Sequence, residues 1–235
     1  MKALFVALFL LLGNNGTYAN DFPPLFTAEY KVYAKGFSVG KGTRTLTRLK
    51  EGKFLFKTVA ETTGFLSFFK KIRIEEQSLF TRTKSGKIRP LKYSYLQKTG
   101  SKKRTNEVIF YWTKGMAKNT FKGKTKRIPL QEGTLDRLLY QLVLMQDLKQ
   151  GKRKLKYLVA DKGKLKEYTP KFIGNERVKT GMGKLNSIKY MRVSNKRRTT
   201  LWCARALGYL PVKVEHVEAD GDVFSMLLQS VRQID

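Results

Sequence analysis

Short runs of alternating apolar and polar residues, broken repeatedly by Gly, Pro, Asn or Asp, constrain this fold more than any other feature of the sequence. Phe54, Phe56 and Thr58 alternate with Leu55, Lys57 and Val59, between Glu51-Gly52 and Gly64. Tyr93 and Tyr95 follow Gly86 and Pro90. Val108, Phe110 and Trp112 share one phase and end at Lys114-Gly115. Ile188 and Tyr190 follow the Gly181-Met182-Gly183 turn, and Asp220-Gly221 separates Val212 and Val214 from Met226 and Leu228. A period of two puts one face of each run on a core and the other in water, the pattern of half-buried antiparallel strands. Roughly ten strands at hairpin spacing are expected. The fold expected is mainly β, a single curved antiparallel sheet or open barrel-like domain.

One segment departs from this rhythm. Thr134 to Gln150 has helical spacing, with Thr134 as the expected N-cap and Gly151 as the stop. Leu135, Leu138, Leu139, Leu142, Val143 and Met145 fall on one broad face, while Leu144 and Leu148 extend the apolar surface round the other side. Such a helix can plug the concavity of a curved sheet, or lie on one sheet face with two leucines exposed. Both arrangements remain open at this point.

Ala3 to Leu12 is a continuous apolar run behind Lys2, followed by polar and small residues up to Ala19. It is too short for the ~20 residues a span requires, and Thr17-Tyr18-Ala19 fits a small-x-small cleavage site. Residues 1–19 therefore read as a signal peptide and 20–235 as a single exported, periplasmic domain, with Pro23-Pro24 ending a flexible leader. No transmembrane segment is expected in the mature chain.

The hydrophobic fraction of 41% is enough for a core. Catalytic parts are scarce. A single Cys203 and a single His216 cannot supply a disulfide or a thiolate zinc site, and both fall in strand-like runs, as a core thiol and a half-buried strand histidine. Gly123-Lys124-Thr125 lacks the earlier glycine of a phosphate loop, Lys118 standing there. Gly40-Lys41-Gly42 and Gly181-Met182-Gly183 read as hairpin turns. Glu75 and Glu76 are adjacent and so face opposite sides of a strand, and Asp136, Asp161 and Glu167 have no spacing tie. No catalytic residue, cofactor or metal is assigned.

Charge is the remaining signal: 48 Lys+Arg against 18 Asp+Glu, a formal balance of +30. The cations cluster at Lys70-Lys71, Lys102-Lys103-Arg104, Lys122 to Arg127, Lys149 to Lys156, Arg177 to Lys179 and Lys196-Arg197-Arg198. Most clusters flank turns, where solvated charge also blocks edge-to-edge pairing. The alternative is a surface for anionic partners. Lys102, Lys103, Arg104, Arg197 and Arg198 are the candidate contacts. The partners considered are an anionic lipid, a lipid A-type glycolipid or an envelope protein. Export and the absence of a recognisable motif argue against nucleic acid.

Several stretches together resemble the DUF3108 family of exported bacterial proteins of unknown function. They are Ala28-Glu29-Tyr30-Lys31-Val32-Tyr33 through Gly40 and Gly42; Val108-Ile109-Phe110-Tyr111-Trp112; Asp136 to Leu148; Tyr157 to Tyr168; and Thr200-Leu201-Trp202 through Leu210-Pro211-Val212 into Asp220-Gly221. The family strand usually reads Phe-Asp-Trp where this chain has Phe110-Tyr111-Trp112, so no acidic role carries over. The resemblance implies a curved antiparallel sheet, similar in outline to the open barrels of lipoprotein carriers. Two functions are consistent with this reading: a non-catalytic module binding an amphipathic envelope component in its concavity, and a structural protein docking on an anionic surface. A hydrolase stands third.

Overall fold

The computed structural model describes residues 22–64, 67 and 71–234. The expected signal peptide and Lys70 lie outside these residues. Eight strands, β1 (Leu25–Ala34), β2 (Phe37–Arg48), β3 (Lys53–Thr62), β4 (Ile72–Arg82), β5 (Ile88–Thr99), β6 (Lys102–Tyr111), β7 (Met116–Phe121) and β8 (Lys124–Pro129), precede helix α1 (Tyr140–Lys149). Seven follow it: β9 (Tyr157–Asp161), β10 (Lys164–Tyr168), β11 (Lys171–Thr180), β12 (Gly183–Ser194), β13 (Arg197–Ala204), β14 (Leu210–Val217) and β15 (Val223–Ile234).

Thirteen strands form one antiparallel sheet in the order β11-β12-β13-β14-β15-β1-β2-β3-β4-β5-β6-β7-β8, and β9 and β10 form a separate hairpin. Strands from both ends of the chain thus meet at β15 and β1, where Leu25 pairs with Ile234 and Ala34 with Phe224. The sheet does not close, because β8 and β11 are unpaired edges. Fifteen strands exceed the expected ten. The extra ones are charged: β8 buries only Ile128, and β11 only Val178 and Thr180, so edge exposure erases their apolar alternation.

The concave face carries the core. Phe26, Ala28 and Tyr30 of β1, Leu46 of β2, Phe56 of β3, Phe80 of β4, Tyr93 of β5, Val108 of β6, Tyr190 of β12, Leu201 of β13 and Leu228 of β15 are all buried on it. Helix α1 fills this space. Leu142 and Leu144 are each 0% exposed although they point in opposite directions around the helix, and Leu148 is also buried. The helix therefore touches sheet on more than one side, and the arrangement with two exposed leucines is ruled out. Polar bonds tie it to the wall: Arg44 of β2 donates to Gln141 (2.9 Å), and Ser78 of β4 to Asp136 (2.8 Å).

The helix begins later than its spacing implies. Leu135 instead forms a parallel bridge with Val159, and the Thr134 hydroxyl donates to the Gln131 carbonyl (2.7 Å), closing the preceding turn. Asp136 caps the turn that leads into the helix: its Oδ1 accepts the backbone N–H groups of Leu138 and Leu139, both at 2.9 Å. Gly151 ends the helix with φ +76°, as expected.

Two further expectations need correction. Gly40 and Gly42 lie inside β2 rather than in a turn. A Cβ on Gly40 would sit 1.9 Å from the Glu61 carbonyl oxygen, so glycine is what allows β2 and β3 to approach. Phe22 is no part of a free leader: it is buried with its ring 5.1 Å from that of Phe54.

Candidate functional site

Antiparallel connectivity decides where the charge goes. The turns joining β1–β2, β5–β6, β7–β8, β12–β13 and β14–β15 all fall at one end of the sheet, since each follows a strand running the same way. Lys35, Lys102, Lys103, Arg104, Lys122, Lys124, Lys196, Arg197 and Arg198 therefore share one rim, with Lys71 at the start of β4 beside them. Arg177 and Lys179 of β11 line a groove with Tyr33 and with Gly36 of the β1–β2 turn.

Strand alternation splits the candidate clusters. Arg104 is in phase with the buried Asn106 and Val108 of β6 and faces the concavity, while Lys103 faces out. Lys102 shares the inward phase but sits exposed at the tip. Arg197 is in phase with Thr199 and Leu201 of β13, and Arg198 faces away. Each cluster thus contributes one arginine to the inner face behind the rim.

That inner face is not filled by α1, and its two walls differ. One is cationic and aromatic. Glu76 of β4 accepts from Tyr93 (2.6 Å) and pairs with Arg137 (3.2 Å), whose guanidinium lies 5.4 Å over the Tyr95 ring. Arg104 and Lys162 sit 5.9 and 5.5 Å from the Phe121 ring. Asp161 accepts from Asn106 (3.1 Å) and pairs with Lys166 (2.8 Å). Arg192 of β12 stacks 3.9 Å over Tyr168 and reaches the Tyr140 hydroxyl. Thr199 hydrogen-bonds His216 (3.0 Å), and Glu218 pairs with both His216 (3.4 Å) and Arg197 (2.5 Å).

The opposite wall is apolar. Val32 of β1, Ala60 of β3, Ile72 and Ile74 of β4 and Met226 of β15 continue the inward phase past the helix, partly exposed. The Met226 and Val32 side chains both lie against Gly42, where a Cβ would meet them. Phe224, exposed at the tip of β15, extends this wall to the rim.

Electrostatics at the cationic wall are unbalanced. Arg104, Lys162 and Arg192 make no ion pair among the described residues, whereas Glu76, Asp161 and Glu218 are already engaged. Burial lowers the pKa of Lys162, and although Asp161 opposes this, the charges of Arg137, Lys166 and Arg104 lower it further. Burial likewise lowers His216, against the pull of Glu218. Burial raises Tyr95, whose hydroxyl senses the charges of Arg137, Glu76, Arg104 and Glu218, so groups from both sides of the opening converge there.

Cys203 is buried and its thiol is pushed up to about 12 by desolvation, so it is a poor nucleophile. Among the described residues no group of three His, Cys, Asp or Glu side chains could hold a metal ion. What the arrangement offers is an anion-attracting wall facing an apolar one.

Reading clusters along the chain found Arg104 and Arg197 but missed Glu76, Arg137, Lys162, Tyr168 and Arg192, which come from separate elements. One signal was available: Glu76 continues the inward phase of Ser78 and Phe80, and Arg192 that of Tyr190, so each is a charge where an apolar residue would be expected.

The crystal structure of a β-barrel-like protein of the domain of unknown function DUF1849 from Brucella abortus is similar to this chain. It has 11% identity and a TM-score of 0.58, over 91% of this chain and 99% of that one. This likeness concerns the fold alone. No curated protein matches the sequence. The match to the proteins of unknown function DUF3108 runs over residues 29–229, from β1 to β15, and so takes in both walls of the opening. The chain belongs to the DUF3108 family.

Proposed function

We propose that the protein is an exported, non-catalytic binder of anionic amphipathic molecules, which it takes into the rim end of its concavity. The observation that carries this reading is the pairing of two walls: Val32, Ala60, Ile72, Ile74 and Met226 on one side, and the unpaired Arg104, Lys162 and Arg192 on the other. Apolar side chains left partly in water gain by covering an acyl chain, at about 25 cal/mol per Å² removed from water. Cations without carboxylate partners gain from a fixed anion. An anionic lipid or lipid A-type glycolipid of the envelope has both parts. Native mass spectrometry of the protein purified from periplasmic extract is expected to reveal co-purified lipid. A protein that carries none and that also fails to bind added lipid would overturn the reading.

A second reading, a structural protein docking on an anionic surface, is favoured by the outward-facing Lys103 and Arg198 on the same rim. It predicts attachment to membranes without uptake of a lipid molecule.

A further inference from the structure

The two walls are built from different strands, so an amphipathic ligand has only one favourable orientation. The apolar wall belongs to β15, β1, β3 and β4. The cations come from β6, from the β9–β10 turn and from β12: Arg104 and Lys162 both lie against the Phe121 ring, and Arg192 lies against Tyr168 at the other end of the β9–β10 hairpin. A head group at the cationic wall leaves the tail running over Met226, Val32 and Ile74.

The amount of unbalanced charge indicates which head group fits. Arg104 and Lys162, both against the Phe121 ring, bring two positive charges with no ion pair among the described residues. Arg137, Lys166 and Arg197 are already matched by Glu76, Asp161 and Glu218. A carboxylate head would bring one negative charge to two cations. A phosphate monoester brings about −1.5 to −2 and three strong acceptor oxygens. It can meet a guanidinium through two parallel bonds and an ammonium as a point charge.

Resting on the binding function proposed above, we propose that the ligand is a single-chain lipid ending in a phosphate monoester, the phosphate held by Arg104 and Lys162 and the chain laid along Val32, Ala60, Ile72, Ile74 and Met226. Dodecyl phosphate, dodecanoate and inorganic phosphate separate head from tail. Calorimetric titration of the whole mature protein, below the critical micelle concentrations, is expected to give a Kd for dodecyl phosphate at least about tenfold below that for dodecanoate. Tenfold corresponds to 1.4 kcal/mol, close to the lower end for one hydrogen bond to a charged group. Arg104→Gln and Lys162→Gln should each reduce this preference to under about threefold with little change in the dodecanoate Kd. Lys103→Gln and Arg198→Gln, which face outward, should leave it intact, and circular dichroism checks that every variant is folded. Equal affinity of the wild type for both amphiphiles overturns the phosphate assignment but leaves the binding function standing. If neither amphiphile binds, both fall. If inorganic phosphate binds as tightly as dodecyl phosphate, the tail contributes nothing and the head-and-tail arrangement is overturned.

Discussion

Asp136 is 0% exposed, and three donors converge on its Oδ1 while Oδ2 is buried without a partner. Desolvation outweighs those donors and raises its pKa from the ordinary 3.8 to about 7, so the acid is neutral in mildly acidic solution. The native state holds this proton more tightly than the unfolded chain does. The resulting stabilisation is fully present below about pH 4 and is lost as the pH rises through about 7. Each pH unit is worth about 1.4 kcal/mol for one group, so the wild type should lose a few kcal/mol relative to Asp136→Asn between pH 4 and pH 8 in urea unfolding. Parallel stability curves would show that Asp136 is ionised throughout. Gly40 exerts control of another kind. With the Glu61 oxygen where its Cβ would be, Gly40→Ala must push β3 away from β2. A loss of about 2–3 kcal/mol or more is expected from the urea midpoint. Gly52→Ala, strained only by φ +67° and with open space around it, should cost about 1 kcal/mol.

Among the elements, α1 decides whether the curved sheet has a core. Its 10 residues are too few for an independent helix in water, so its stability comes from burial. Leu142→Asp places an unpaired charge against one side of the concavity and Leu144→Asp against another. Each should cost several kcal/mol, comparable to total stability, and abolish the cooperative melt. A native melting temperature for Leu144→Asp would mean that this side of the helix is free. The helix and the inner strands were legible in the sequence because burial on a defined face imposes a period. β8 and β11 were not, since solvent on most of their surface leaves no such imprint. The helix start was misplaced because Leu135, Leu138 and Leu139 keep helical spacing while serving a bridge and an Asp136-capped turn. For the site, sequence clusters marked the rim. The inner cationic wall depends on which strands become neighbours in space, and no single segment records that.

At the scale of the whole molecule, a formal balance of +30 creates attraction to any anionic surface, so attraction alone says little about a site. The meander makes the attraction directional by gathering hairpin cations on one rim. Lys102 and Lys103 lie on that rim, whereas Lys50 and Lys84 lie in the β2–β3 and β4–β5 connections at the far end of the sheet. Each pair removes two charges when changed to Gln, so the net field falls equally. If the rim faces the lipid during loading, Lys102→Gln with Lys103→Gln should weaken binding to vesicles containing anionic lipid by roughly thirtyfold. That corresponds to about 1 kcal/mol per charge near the surface. Lys50→Gln with Lys84→Gln, held a strand's length from the rim and well beyond the screening length of about 8 Å at physiological ionic strength, should weaken it less than about threefold. Vesicle co-sedimentation across a salt series measures both, and the gap between the pairs should close as salt rises to a few hundred millimolar. Equal losses at low salt would identify a diffuse field without a preferred face, and lipid would then have to reach the concavity without the rim meeting the membrane first.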